Sequence, residues 1–260
     1  MTQTSTVKQK APVMAPSTAA LFAAALFTAA TAAVFAEPLS TAAFTETPSA
    51  GVNLDVPFFC QAPRANWADQ RQQDGCEETS LLMAHLWLTK TTLSAVEAEA
   101  EIIALSNWIQ TEHYTGRKAF IPDQSIADAA LIFARYYGHT DWEIKRNITA
   151  RDIKAELAAG NLVIVPVNGR ILANPHFNPP GPVAHMIVIT GHIGDTFFAN
   201  DPGTVRGKNF PYPQERLMNA IYDYPTGRHM PYRKTATAML VIRPPRQSIF
   251  YGTNGNAASS

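Results

Sequence analysis

The spacing of apolar residues changes at Gly160, and this change constrains the fold more than any other feature of the sequence. Before Gly160 the apolar residues recur at helical spacing, whereas after it they form short continuous runs that are typical of buried strands. Helices followed by strands predict an α+β domain, in which a helical half packs on an antiparallel sheet. We expect one such domain, from about residue 52 to about residue 245.

Local signals place the individual elements. The segment from Cys76 to Lys90 contains no Gly or Pro and is apolar on nearly every side, which predicts a helix buried in the centre of the domain. Elsewhere a Ser or Thr followed three residues later by Asp predicts a helix start, and a Gly predicts its end. The other predicted elements are a helix through Ala98, Ile102, Leu105 and Ile109, helices from Ser125 to Gly138 and from Thr149 to Gly160, and strands at Leu54–Phe59, Leu162–Val167, Ala184–Thr190, Thr196–Ala199 and Ala238–Ile242.

The first fifty residues differ in composition from the rest. Two lysines precede an apolar, Ala-rich run, and Val34-Phe35-Ala36 offers small residues where a signal peptidase cleaves. Residues 1–36 are therefore predicted to be a secretory signal peptide, or an uncleaved membrane anchor, because the run approaches the length of a spanning helix. Either interpretation places the domain outside the cytoplasm, as a secreted, periplasmic or membrane-anchored protein. Residues 37–51 are predicted to be a disordered connector and residues 246–260 a disordered tail.

The charge balance excludes one large class of partner. Lys plus Arg number 21 and Asp plus Glu number 21, so the formal net charge is zero. A nucleic-acid-binding protein normally carries a basic patch, and the sequence contains none. No nucleic-acid partner is expected.

Three residues form a candidate catalytic site. Cys76 lies where a polar loop meets the buried helix, and the helix N-terminus favours a thiolate. His185 begins one predicted strand and Asp201 follows the next, with a tight turn between the two strands. In an antiparallel hairpin these two residues fall opposite each other or one residue apart, which leaves the register open. A carboxylate beside an imidazole fixes the ring's tautomer and orientation, as in a catalytic triad.

Four motifs, taken in order along the chain, resemble those of the C39-like peptidases, which are papain-like cysteine peptidases. The resemblance is to the stand-alone type, which lacks ABC-transporter parts. The motifs run from about Leu54 to about Tyr222. They are Asp55-Val-Pro-Phe-Phe-Cys-Gln61, Gln73-Asp-Gly-Cys76-Glu-Glu-Thr-Ser80, His185-Met-Ile-Val-Ile-Thr-Gly191 and Asn200-Asp-Pro-Gly-Thr204.

The resemblance implies a papain-like fold and an enzyme that hydrolyses peptide bonds, which the N-terminal segment predicts to be exported. It implies Cys76 as nucleophile, His185 as general base and acid, and Asp201 as the residue that orients His185. It also implies a Gln in the oxyanion hole, for which Gln61 is favoured over Gln73. A peptide or protein is the expected substrate, with no cofactor and no metal.

One departure from the family pattern bears on the chemistry. Many members have Cys-Gly-Pro at the nucleophile, where this chain has Cys76-Glu77-Glu78. Two carboxylates suit the first turn of a helix, but their charge opposes thiolate formation at the neighbouring sulfur.

Four alternatives to a cysteine peptidase remain open at the level of sequence. Cys60 and Cys76 are the only cysteines, and in an exported chain they could form a disulfide. His176, His185, His192 and Asp201 could instead bind zinc, although His192 is predicted to be an exposed turn residue. The fold could also serve as an inactive binding module. Finally, the same residues could act as an amidase or transpeptidase on cell-wall peptides.

Overall fold

A computed structural model describes residues 51–111, 121–227, 229–230 and 233–245 of the chain. The predicted signal or anchor, all but the last residue of the predicted connector, and the predicted tail lie outside these described residues, so they stay predictions. Between residues 51 and 245, no described helix combines the length and apolar character needed to cross a membrane.

Helices precede most of the strands along the described chain. The helices are α1 (Gln70–Gln73), α2 (Cys76–Thr89), α3 (Ala95–Ile109), α4 (Ile126–Tyr137), α5 (Ala150–Ala158), α6 (Gly169–Leu172) and α7 (Gln214–Ala220). The strands are β1 (Val52–Asn53), β2 (Trp142–Arg146), β3 (Leu162–Val167), β4 (His185–Ile193), β5 (Thr196–Asn200), β6 (Phe210–Pro213) and β7 (Ala238–Ile242).

The seven described strands form one sheet in which every pairing is antiparallel. Six of them lie side by side in the order β2-β7-β3-β4-β5-β6, and β1 pairs with β4. With the helices packed on it, this sheet gives the α+β arrangement that the sequence predicts for a papain-like fold.

The sheet is buried on both faces. Ile164 and its partner Val188 belong to the core shared with α2 and α4, whereas Val163 and its partner Ile189 belong to a second core shared with α5 and α7. Since successive side chains of a strand point to opposite faces, double coverage explains why β3 and β4 are continuous apolar runs.

Helix α2 packs directly on β4, and this contact positions the candidate site. The Ser80 hydroxyl donates to the Met186 carbonyl at 3.1 Å, next to His185. The helix begins after Gly75, where a Cβ atom would lie 2.6 Å from the Arg71 carbonyl oxygen. Only glycine therefore permits this close approach of α1 and α2, which sets Cys76 at the first position of the helix.

Strands β3 and β7 have the predicted bounds. Helix α4 begins after Ser125 and ends at Gly138, as predicted. Ser125 accepts from the Asp128 N–H, and Gly138 adopts a left-handed φ of 76°. The predictions missed β1, β2, β6 and the short helices α1, α6 and α7.

Two predictions about local structure were wrong. The segment Leu54–Phe59 is not a strand, because after the Leu54 N–H bonds to the Thr190 carbonyl the chain leaves the ladder. Instead it is held by the buried Asn200 side chain, whose Nδ2 donates to the Val56 and Pro57 carbonyls. His192 is not in an exposed turn but inside β4, where it is 1% exposed.

We expect Asn200→Ala to lower the free energy of unfolding by about 1–3 kcal/mol, because it leaves buried backbone groups without partners. Asn200 also accepts from the Asn209 N–H at 3.0 Å. Urea unfolding measures the change. The matched control is Asn107→Ala, an exposed Asn that accepts from Arg71, for which a change within about 0.5 kcal/mol is expected. Equal losses in the two variants would contradict the role given to Asn200.

Candidate active site

Cys76, His185 and Gln61 line one open cavity of about 430 Å³. Cys76 enters it from the first turn of α2, and His185 enters from the start of β4. The polar wall also includes Asp74 and His229. The structure therefore brings the predicted nucleophile, base and oxyanion-hole residue to the same space.

His185 and Asp201 are in direct contact. The ring Nε2 lies 2.7 Å from Asp201 Oδ1, and both side chains are almost fully buried. Neither of the two predicted registers is observed: the ladder ends where Val188 pairs with Asn200, and extending it by one residue puts Asp201 opposite Ile187, two residues from His185. A two-residue offset keeps both side chains on one face of the sheet, and this explains why the contact survives the shift.

Asp201 accepts hydrogen bonds from several donors besides His185. Its Oδ1 accepts from the Gly203 N–H at 3.0 Å, and its Oδ2 accepts from Asn174 Nδ2 at 3.0 Å and from the Tyr212 hydroxyl at 2.5 Å. Burial by itself raises the pKa of the Asp201 carboxyl, but the charge and hydrogen bond of His185, with the Tyr212 and Gly203 donors, outweigh it. The net pKa is below its usual value, so Asp201 is ionised at neutral pH.

The His185 ring is held from its other side as well. Phe177 meets it edge-on, with ring centroids 5.3 Å apart. A Cβ atom at position 203 would lie 2.8 Å from Phe177 and 3.0 Å from the His185 ring. Gly203 is therefore the residue that leaves room for the imidazole.

The surroundings of Cys76 are acidic. Its thiol donates to Glu77 Oε2 at 2.9 Å, and this is the one hydrogen-bond partner it has among the described residues. The pKa of the thiol is well above its ordinary value, because of burial first and then the charge and hydrogen bond of Glu77, with the charges of Asp123 and Glu78. The sequence argument, that the helix N-terminus favours a thiolate, does not hold for this resting arrangement.

Gln61 lines the same cavity as Cys76 and His185. It is 6% exposed, and its Nε2 donates to the Gln73 carbonyl at 2.5 Å. An amide NH₂ has two protons, so the second is available to the cavity. Gln73, the alternative, also lines the cavity but is exposed.

The cysteines and histidines bear on two of the alternatives, a disulfide between Cys60 and Cys76 and a zinc site. Cys60 and Cys76 are both free, and the Cys60 thiol donates to the Ala62 carbonyl at 3.1 Å. In the part of the chain that the structure describes, no three His, Cys, Asp or Glu residues are grouped so as to hold a metal ion. His192 packs against Phe197 instead.

The sequence matches the Peptidase_C39 like family over residues 53–228, which is more than half of its length. The chain belongs to this family. No curated protein sequence matches it significantly. Among solved structures, it is similar to a presumed C39-like peptidase from Bacillus anthracis, at 16% identity and a TM-score of 0.47, with 75% of this chain and 98% of that chain covered.

Sequence reasoning missed several residues around the C39-like site. Asn174 and Tyr212 contact Asp201 from the loop after α6 and from β6, and no local pattern marks either residue. No sequence pattern marks His229 either, yet it lies between Asp74, at 2.8 Å, and Asp123, at 2.6 Å. These two hydrogen bonds, to Asp123 first, raise the pKa of His229 to about 10, so the wall of the cavity carries a charged imidazolium at neutral pH.

The His229 ion pairs predict a pH dependence of stability. The folded pKa of about 10 lies above the ordinary 6.5, so the stabilisation is complete below about pH 6.5 and is lost as the pH rises through about 10. We expect His229→Gln to lower the free energy of unfolding by about 1 kcal/mol at pH 6, a figure reduced because the ring is half exposed. Urea unfolding at several pH values should show this difference shrinking towards pH 10. A difference that does not change with pH would contradict the charged state of His229.

Proposed function

We propose that this chain is a cysteine peptidase in which Cys76 is the nucleophile, His185 the general base and acid, and Asp201 the residue that orients His185. The observation that carries the proposal is the buried His185–Asp201 hydrogen bond at the wall of the cavity that Cys76 enters. Membership of the Peptidase_C39 like family supports the same class of activity.

The first step is proton transfer from Cys76. Asp201 uses Nε2 of His185, so Nδ1 is the ring nitrogen that receives the thiol proton. Asp201, ionised and buried, stabilises the resulting imidazolium. The thiolate then attacks the carbonyl carbon of the peptide bond, and a carbon–sulfur bond forms as the carbonyl oxygen takes the negative charge.

In this mechanism two donors bind that oxyanion. One is the second proton of Gln61 Nε2, and the other is the backbone N–H of Cys76, which as the first residue of α2 has no partner within the helix. The carbon–nitrogen bond then breaks as His185 protonates the leaving amine. Water, deprotonated by His185, hydrolyses the thioester and restores the thiol.

A second function is favoured by one observation, the hydrogen bond of the resting thiol to Glu77 rather than to His185. A thiol held protonated is a poor nucleophile. The alternative is therefore a catalytically inactive module that binds peptides in the same cavity. An amidase or transpeptidase acting on cell-wall peptides would use the active arrangement, with an amine in place of water in the transpeptidase.

Four substitutions test the peptidase. We expect Cys76→Ala, His185→Ala and Asp201→Asn each to reduce hydrolysis of an unfolded fluorogenic protein substrate by at least about 1000-fold. Gln61→Ala is expected to reduce the rate of hydrolysis about 100- to 1000-fold, which is the typical effect of removing one oxyanion-hole donor from an enzyme. The matched control is Cys60→Ala, which removes the other buried thiol and should leave the rate within about threefold of wild type.

The same variants separate the two functions. A peptidase shows these losses while each variant still unfolds cooperatively in urea. An inactive module binds the unfolded substrate, and neither the wild type nor any variant hydrolyses it. Its affinity for the substrate is the same in Cys76→Ala.

A further inference from the structure

Glu77 is built into the site by contacts from three parts of the chain. It is the second residue of α2 and is 0% exposed. Oε2 accepts the proton of the Cys76 thiol at 2.9 Å. Oε1 accepts from the Tyr224 hydroxyl at 2.8 Å and from the Gln124 N–H at 3.3 Å. Both carboxylate oxygens thus accept hydrogen bonds, Oε2 from the Cys76 thiol and Oε1 from the surrounding loops.

Within the described part of the chain, the hydrogen-bond partners and neighbouring charges of Glu77 are neutral or acidic. From α2 these are the Cys76 thiol and Glu78, and from the loop before α4 they are Gln124 and the charge of Asp123. From the loop after α7 there is the Tyr224 hydroxyl. Burial, and then the charge of Asp123, raise the pKa of Glu77 to about 7.

The two histidines on the cavity wall have other partners. His229 is hydrogen-bonded to Asp74 and Asp123, and His185 is hydrogen-bonded to Asp201. Among the described residues, no Lys, Arg or His hydrogen-bonds to the Glu77 carboxylate. Within that part of the chain, the charge of Glu77 is therefore balanced by hydrogen bonds from the Cys76 thiol, Tyr224 and Gln124.

We infer that Glu77 is a catalytic residue that sets the charge state of Cys76: its ionised carboxylate holds the sulfur as a thiol, and its protonated carboxyl donates to the sulfur and permits the thiolate. This inference rests on the proposed function, because the thiolate matters only if Cys76 is the nucleophile. The proton balance is complete within the site. With Glu77 protonated, the Cys76 proton moves to His185 Nδ1, and the Glu77 proton remains on Oε2 as the donor to sulfur.

The physical reason is the separation of the two groups. A thiolate and a carboxylate at 2.9 Å are like charges in a buried site, and each disfavours ionisation of the other. A carboxylic acid at the same distance instead offers a hydrogen bond to the thiolate. The enzyme is consequently expected to be most active on the acid side of neutrality.

The experiment measures the rate constant for alkylation of Cys76 by iodoacetamide, in the full-length chain with Cys60→Ala, from about pH 5 to pH 9. Glu77→Gln places a permanent neutral donor beside the sulfur. We expect it to react as fast as the parent below about pH 6 and at least about 10-fold faster at pH 8.5, where the parent carries the carboxylate. Glu78→Gln is the matched control, since it neutralises the next carboxyl, which has no hydrogen bond to sulfur, and its gain should be smaller.

A second variant keeps the test decisive if Glu77→Gln does not fold. Tyr224→Phe preserves the ring and removes one donor to Glu77, which raises the pKa of the Glu77 carboxyl further. The pH at which alkylation of Cys76 becomes suppressed should then move upward, and a purely structural role would not shift it. Parallel pH profiles for the parent and Glu77→Gln, or an unshifted profile in Tyr224→Phe, would overturn the inference.

His185→Ala separates this inference from the proposed function. If Cys76 is not activated by His185, Cys76 in the His185→Ala variant is alkylated at the parent rate. The ratio of the alkylation rate of Glu77→Gln to that of the parent then still rises with pH. If His185→Ala slows alkylation while the Glu77→Gln profile stays parallel, the peptidase stands and the role of Glu77 is wrong.

Discussion

The carboxylate of Asp201 is the group on which the geometry of the site depends. It is fully buried, and an unpaired carboxylate in that position would be too costly to keep ionised. Its donors come from β4, β6, the loop after α6 and its own loop. Four separate pieces of backbone are therefore held in place by one charge, and the orientation of the His185 ring follows from them.

The two sides of the cavity have opposite electrostatics. On the sheet side, donors surround Asp201 and its pKa falls. On the helix side, Cys76, Glu77 and Glu78 are buried together, and the pKa of each is raised. In the proposed mechanism, moving the thiol proton to His185 places positive charge where a carboxylate already stabilises it. The difficulty of the proposed reaction therefore lies on the helix side, where negative charge must develop beside other acids.

Sequence reasoning reached the elements whose signals are local. The ends of α4 follow from Ser125 and Gly138, which act on backbone groups within one turn. The predictions fail where contacts between residues far apart in the sequence determine the local structure. The segment Leu54–Phe59 has a strand's composition, yet a buried side chain, Asn200, holds it away from the ladder. The β4–β5 register depends on a bulge between Ile189 and Gly191, which no residue pattern announces.

The same limit applies to Cys76, the proposed nucleophile. A helix N-terminus carries about half a positive charge, and from the sequence alone this favours a Cys76 thiolate. The folded chain adds burial and, when Glu77 is ionised, a full negative charge at 2.9 Å, and each of these opposes the thiolate. The loop residues Gln124 and Tyr224 fix Glu77 in that position, 47 and 147 residues away along the chain. The sign of the effect on the thiol pKa is thus decided by tertiary contacts, and the Cys-Glu-Glu sequence alone leaves it undetermined.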